Sequence, residues 1–185
     1  HYGVTSPFKD LIKKKKIKNV FFSSSDVDKR TSNKAISRLK GIQVRKLEVK
    51  KFNNFYESYE INKEKLMPFI NAKIALSKDL YSISKKKKWI TNSASRSRVH
   101  LIRSEYDTII STSKSINKDN SLLNCRLNGF DNTKPSLIIV DLNLKIKKNL
   151  KLFKLTKKRK ITIISSVAKG EKISFLKKIG VRFIT

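Results

Sequence analysis

The feature that most restricts this chain is a recurrence of short apolar runs, each bounded by polar residues and alternating with segments of helical apolar spacing. Lys18 to Ser23, Ile42 to Val49, Phe69 to Ser77, Thr108 to Ser111, Ser136 to Asp141, Lys160 to Val167 and Val181 to Thr185 read as strands. Around and between them, Phe8 to Lys16, Thr31 to Leu39, Asn92 to Ser104 and Lys172 to Ile179 read as helices. Gly41 and Gly180 are placed to close two of these, and Asn92 or Ser93 to cap a third. The order predicts an α/β protein that opens with a β-α-β unit. In such folds ligand sites gather beyond the carboxyl ends of the strands.

Two regions are expected, joined by a polar stretch. Residues 1–50 hold the β-α-β unit and residues 51–66 connect it to residues 67–185, which Pro68 introduces. In the connecting stretch Phe52, Phe55, Tyr56 and Tyr59 recur at helical spacing and read as packing surface on a linking helix. With 38% apolar residues in 185, the chain has enough material for a core. It begins on His1 and stops within a predicted strand, so both ends read as cut from a longer polypeptide.

The net charge of +30 invites a nucleic-acid reading, in the form of a basic RNA- or DNA-binding module of ribosomal type. Phosphate neutralisation calls for a continuous cationic surface, whereas the lysine runs here (Lys13 to Lys16, Lys85 to Lys88, Lys157 to Lys160) are short and scattered. They read as solvated faces, and a nucleic-acid partner is not expected. A lone cysteine, Cys125, forms no internal disulfide and reads as a small buried hydrophobe, which fits a reducing cytoplasm. No apolar run approaches membrane-spanning length, so a soluble cytoplasmic protein is expected. Zinc-ligand pairs, a nucleophile elbow, a Walker loop and a glycine-rich dinucleotide fingerprint are all missing.

The stretch from Lys88 to Arg126 carries the candidate chemistry, and with the residues just before it a pattern emerges. Lys73, Ala75, Ser77 and Asp79 come first, then Lys88-Trp89-Ile90-Thr91, then Val99-His100 with Arg103, then Asp107 and Ile109. Ser115-Ile116, Asp119-Asn120, Leu123 and Arg126 complete it. This series resembles the reductase domain of the bifunctional riboflavin-biosynthesis deaminase-reductase (RibD) family. His1-Tyr2-Gly3, Thr5 and Pro7 resemble the tail of that family's deaminase zinc motif. The resemblance implies a partial cytidine-deaminase-like segment followed by an incomplete dihydrofolate-reductase-like domain.

It also implies an activity, the NADPH-dependent reduction of 5-amino-6-(5-phosphoribosylamino)uracil to the ribitylamino product, and a homodimer. Carried over residue by residue, Ala75, Trp89, Ser115 and Asp119 would hold the cofactor. Lys87, Arg103, Leu123 and Arg126 would hold the phosphoribosylaminopyrimidine substrate, and Lys73 or Asp79 would relay a proton. Arginine suits the phosphate because its guanidinium offers a planar fork of donors. On residue type alone, Trp89 is equally a core residue, Ser115 and Asp119 are common caps, and surface arginines are ordinary. His100, one helical turn from Arg103, reads as structural. Phe8 stands where the zinc motif has its second cysteine, so zinc is expected only in a complete deaminase domain, and no metal ligand is assigned here. Leu80 replaces the glycine that usually follows Asp79, and Lys87 stands where the family has a serine.

Overall fold

The computed structural model describes residues 6–28, 36–47, 49, 56–82, 90–130 and 135–185, with residues 6–8 described in backbone only. It divides into two compact units, His1–Lys73 and Ile74–Thr185.

The first unit opens with helix α1 (Ser6–Lys14), whose last turn carries Lys13 and Lys14 where the negative end of the helix dipole favours cations. Strands β1 (Asn19–Phe22) and β2 (Gln43–Lys46) pair in parallel with Val20 opposite Val44. A parallel pair requires a crossover, and the sequence between the strands supplies the length for it. Residues 29–35, most of the predicted crossover helix, lie outside the described residues, but Gly41 takes the left-handed φ of +85° expected of a helix-closing glycine. Ile12 and Leu39 are buried in this unit.

Helix α2 (Glu57–Lys65) corrects the predicted aromatic packing surface, because it buries none of its residues. Its contacts with the segment after β1 are polar. Tyr59 donates its hydroxyl to Asp26 Oδ1 at 2.7 Å, and Lys63 pairs with Asp28 at 3.3 Å. Phe52 and Phe55 lie outside the described residues.

Phe69 to Ser77 is a second correction. The segment forms no regular secondary structure and joins neither sheet, and Ile70, Ile74 and Leu76 are exposed. Alternating apolar residues give a strand only when a neighbouring backbone is available to pair, and none of the described strands lies alongside.

The second unit is built on four parallel strands in the order β3-β4-β5-β6. Strand β3 (Thr108–Thr112) is preceded by helix α3 (Ser93–Glu105), where the Asn92 side chain accepts from Ser95 N at 2.8 Å as the predicted N-cap. Helix α4 (Ser113–Asp119) follows β3 without a break, and sequence pattern alone missed it because its seven residues carry a single apolar anchor, Ile116. Strands β4 (Ser136–Val140), β5 (Ile161–Ile164) and β6 (Arg182–Ile184) are joined through a 3₁₀ turn (Lys151–Leu155) and helix α5 (Glu171–Lys178). The core gathers Leu137, Ile139, Ile161 and Ile163 from the two central strands, Ile116 from α4 and Leu176 from α5. Each fully buried aliphatic side chain of this kind contributes roughly 1.5–3 kcal/mol of transfer free energy. Gly180, at φ +95°, turns the chain from α5 into β6 as predicted. Among the described residues no helix is long and apolar enough to cross a membrane.

Candidate functional site

The Arg103 and Arg126 guanidiniums converge on one small stretch of backbone. Arg103, near the end of α3, donates from Nη1 to the Asn124 carbonyl at 3.3 Å. Arg126 donates from Nη1 to the Asn124 side-chain oxygen at 3.1 Å, and its Nη2 lies 3.3 Å from His100 Nε2. A guanidinium can only donate, so Nε2 accepts and the neutral imidazole carries its proton on Nδ1. That Nδ1 then donates to the Asn124 carbonyl at 3.1 Å. The Arg126 backbone nitrogen, 3.2 Å from the same Nδ1, finds no lone pair there in this tautomer.

This geometry follows from local structure. His100 and Arg103 are three apart on α3 and so share a helix face. The chain leaving α4 comes back under that face because Asn120, at φ +44°, ends the helix with its N–H returned to the Ile116 carbonyl. Leu123 then adopts φ +49°, a left-handed conformation costing a leucine roughly 1–2 kcal/mol. Its side chain packs on the core.

Electrostatically the cluster is cationic and uncompensated. Neither Arg103 nor Arg126 is paired with a carboxylate among the described residues. Burial, then Arg126, lower the pKa of Arg103. Burial, then Arg126 and Arg103, lower that of His100 against the opposing effect of the Asn124 carbonyl, which favours the neutral ring deduced above. The sequence reading missed Arg159, the residue before β5, which is only 6% exposed. Its Nη1 donates to the Leu122 and Leu123 carbonyls at 2.9 and 3.0 Å. Burial and then Arg103 push its pKa down to about 10. In the sequence Arg159 sat inside a lysine run that read as a solvated face, and nothing local distinguished it.

The other candidates fall elsewhere. Ser115 lies in the first turn of α4, its backbone N–H donating to the N-capping Thr112 hydroxyl at 3.3 Å, and Asp119 lies one turn on. Both are exposed, and no hydrogen bond among the described residues joins them to the arginines. A hydroxyl and a carboxylate at i and i+4 share one face of the helix. Ser115 belongs to the carboxyl end of β3, as expected of an α/β ligand site. Arg159 instead precedes β5, and Arg103 precedes β3, so the arginine cluster departs from that rule.

Ala75 is half-buried and Lys73 exposed. Asp79 is exposed in a tight turn in which Ser77 N donates to the Tyr81 carbonyl at 2.9 Å, and the Ser77 hydroxyl, then its own backbone, hold its carboxyl below the usual range. Leu80, in the position usually held by glycine, takes φ +64°, the conformation glycine adopts freely. Lys87 and Trp89 lie outside the described residues. Cys125 is buried, as predicted.

Residues 68–185 match the family described as RibD C-terminal domain. The riboflavin biosynthesis protein RibD of Actinobacillus pleuropneumoniae is 29% identical over 98% of this chain, which covers 49% of that protein. RibD of Acinetobacter baumannii superposes on the whole chain with a TM-score of 0.76 at 23% identity, over 52% of its own length. A diaminohydroxyphosphoribosylaminopyrimidine deaminase/5-amino-6-(5-phosphoribosylamino)uracil reductase from Thermotoga maritima superposes with a TM-score of 0.74 at 22% identity. The chain thus spans about half the length of the curated relatives it matches.

Proposed function

Because the chain belongs to the RibD C-terminal domain family, we propose that it serves riboflavin biosynthesis as the NADPH-dependent reductase of 5-amino-6-(5-phosphoribosylamino)uracil. The observation that carries the reading is the convergence of Arg103 and Arg126 with neutral His100 on Asn124, without a carboxylate among the described residues to neutralise them. Uncompensated arginines at one point are costly unless an anion completes them, and the substrate brings a phosphate.

In this reading Arg103 and Arg126 take the phosphate, and His100, as acceptor, fixes the direction of the Arg126 fork. Leu123 would offer its backbone N–H, since its side chain packs on the core and its carbonyl accepts from Arg159. Ser115 and Asp119, with Ala75 and Trp89, would hold NADPH, and Lys87 would reach the substrate. The nicotinamide, when bound, supplies hydride to the ribose C1′ carbon, electrophilic in the ring-opened imine. The protein's task is alignment and charge neutralisation. Lys73 or Asp79 would relay a proton, the Asp79 carboxyl being held below its usual range by the Ser77 hydroxyl and its own backbone. Zinc belongs to the complete deaminase domain of a bifunctional relative, and a homodimer is part of the same proposal. Nothing beyond the charge favours the nucleic-acid reading.

Calorimetric titration of the chain with ribose 5-phosphate and quenching of Trp89, its single tryptophan, by NADPH test the proposal. Saturable uptake of both, with ribose itself binding far more weakly, is expected. A chain that takes up neither ligand overturns it.

A further inference from the structure

We infer that Arg159 is a positioning residue of the anion site, pinning the left-handed turn at Leu123 and adding a third positive charge behind Arg103. The inference deepens the phosphate-binding reading above and rests on it. The sequence pattern that suggested the site ended at Arg126, so Arg159 comes from the structure alone.

Three observations converge on it. First, one guanidinium nitrogen, Nη1, holds the carbonyls of both Leu122 and Leu123. These flank the left-handed backbone at Leu123, and a strained residue of this kind persists only where its surroundings over-determine it. The next carbonyl, that of Asn124, is the one on which His100 and Arg103 meet, so the Leu123 turn sets where both side chains point. Second, the side chain is 6% exposed, and its Nε and Nη2 are buried with no hydrogen-bond partner among the described residues. Buried donors without acceptors are rare in native structures and call for an explanation, an absent ion among them. Third, Arg103 is near enough to perturb Arg159 electrostatically, and Arg126 perturbs Arg103 in turn. The three cations form a graded series from the exposed Arg126 to the buried Arg159, and an anion held by the outer two is attracted by all three.

A scaffold residue would give the same backbone clamp without any response to an anion, so the test reads both. In the full chain, Arg159→Gln removes the charge and, with its amide nitrogen two bonds short of the Nη1 position, also releases the two carbonyls. It is expected to weaken ribose 5-phosphate binding about tenfold, the scale of one charge-assisted hydrogen bond. Quenching of Trp89 by NADPH should be unchanged, and Arg159→Lys should restore most of the phosphate affinity. A measurement on the unmodified chain guards against a variant that fails to fold. The buried Arg159 Nε–H resonance, assigned by its loss in Arg159→Lys, should shift on saturation with ribose 5-phosphate and stay in place with ribose. An Nε–H signal unmoved at saturation, or a folded Arg159→Gln protein with undiminished affinity, overturns the inference and leaves the phosphate site standing. Failure of the unmodified chain to bind ribose 5-phosphate removes the reading beneath it.

Discussion

Two charged clusters in the second unit, around Asp141 and around Arg103, Arg126 and Arg159, differ in how completely their hydrogen bonds are met. Asp141, 4% exposed at the carboxyl end of β4, accepts from the Ser113 hydroxyl at 2.6 Å and from the backbone of Lys145 and Ile146 at 2.9 and 2.8 Å. Those bonds tie the start of α4 to the loop after β4 and satisfy a buried carboxylate, which makes it a structural device. The arginines, by contrast, share a few carbonyls, and Arg159 Nε and Nη2 are buried without a partner among the described residues. A satisfied buried charge holds a fold together, whereas an unsatisfied one calls for an explanation, which the proposed phosphate would supply.

The sharpest way to break this contrast is at Asp141. Asp141→Ala strands two buried donors, the Ser113 hydroxyl and the Ile146 N–H, besides the part-buried Lys145 N–H, and urea unfolding should show a loss of about 3 kcal/mol, since each buried unmet group costs roughly 1–3 kcal/mol. A loss below about 1 kcal/mol would mean that water replaces the carboxylate and that the cluster is not structural.

Arg126→Ala should do the opposite. Phosphate affinity is expected to fall by about 2 kcal/mol, the scale of a charge-assisted pair, while stability changes by less than about 0.5 kcal/mol because the side chain is exposed. A stability loss equal to the affinity loss would collapse the distinction between the two clusters.

Two of the four left-handed leucines among the described residues, Leu123 and Leu80, sharpen it further. Leu123 is clamped by Arg159 and packs on the core, whereas Leu80 is 75% exposed at φ +64°. Leu80→Gly should therefore stabilise the chain by about 0.5–1 kcal/mol in the same unfolding experiment, the relief of strain outweighing the added freedom of the unfolded chain. Destabilisation would show that the Leu80 side chain has a packing role.

The smallest effect expected is on pH dependence. The pKa of His100 is lowered in the folded state, chiefly by burial and then by Arg126 and Arg103, so below the ordinary histidine range the unfolded chain binds the extra proton. Stability is therefore retained above about pH 6.5 and declines as pH falls through the lowered folded value. His100→Gln should flatten that decline in thermal melts between pH 7 and pH 5, and an unchanged slope would assign it to another group.

Much of the fold was legible in the sequence because its signals are local. The capping Asn92, the glycines after two helices, and apolar runs such as Leu137 to Val140 each act within a few residues of themselves. Phe69 to Ser77 had the same alternation but pairs with no strand among the described residues, and α4 had too little apolar periodicity to show. At the site, Arg103 and Arg126 were recognisable through a motif whose order along the chain survives folding. Arg159 was not, because its identity as a buried cation depends on Leu122 and Leu123, 37 and 36 residues away.

The sequence by itself determined the alternation of strands and helices, and with it an α/β fold, since backbone pairing and side-chain periodicity are set by near neighbours. Only the tertiary structure decided which charges are met and which are left open. That depends on chain segments distant in sequence being brought together, and on the loss of water that makes an unmet charge costly.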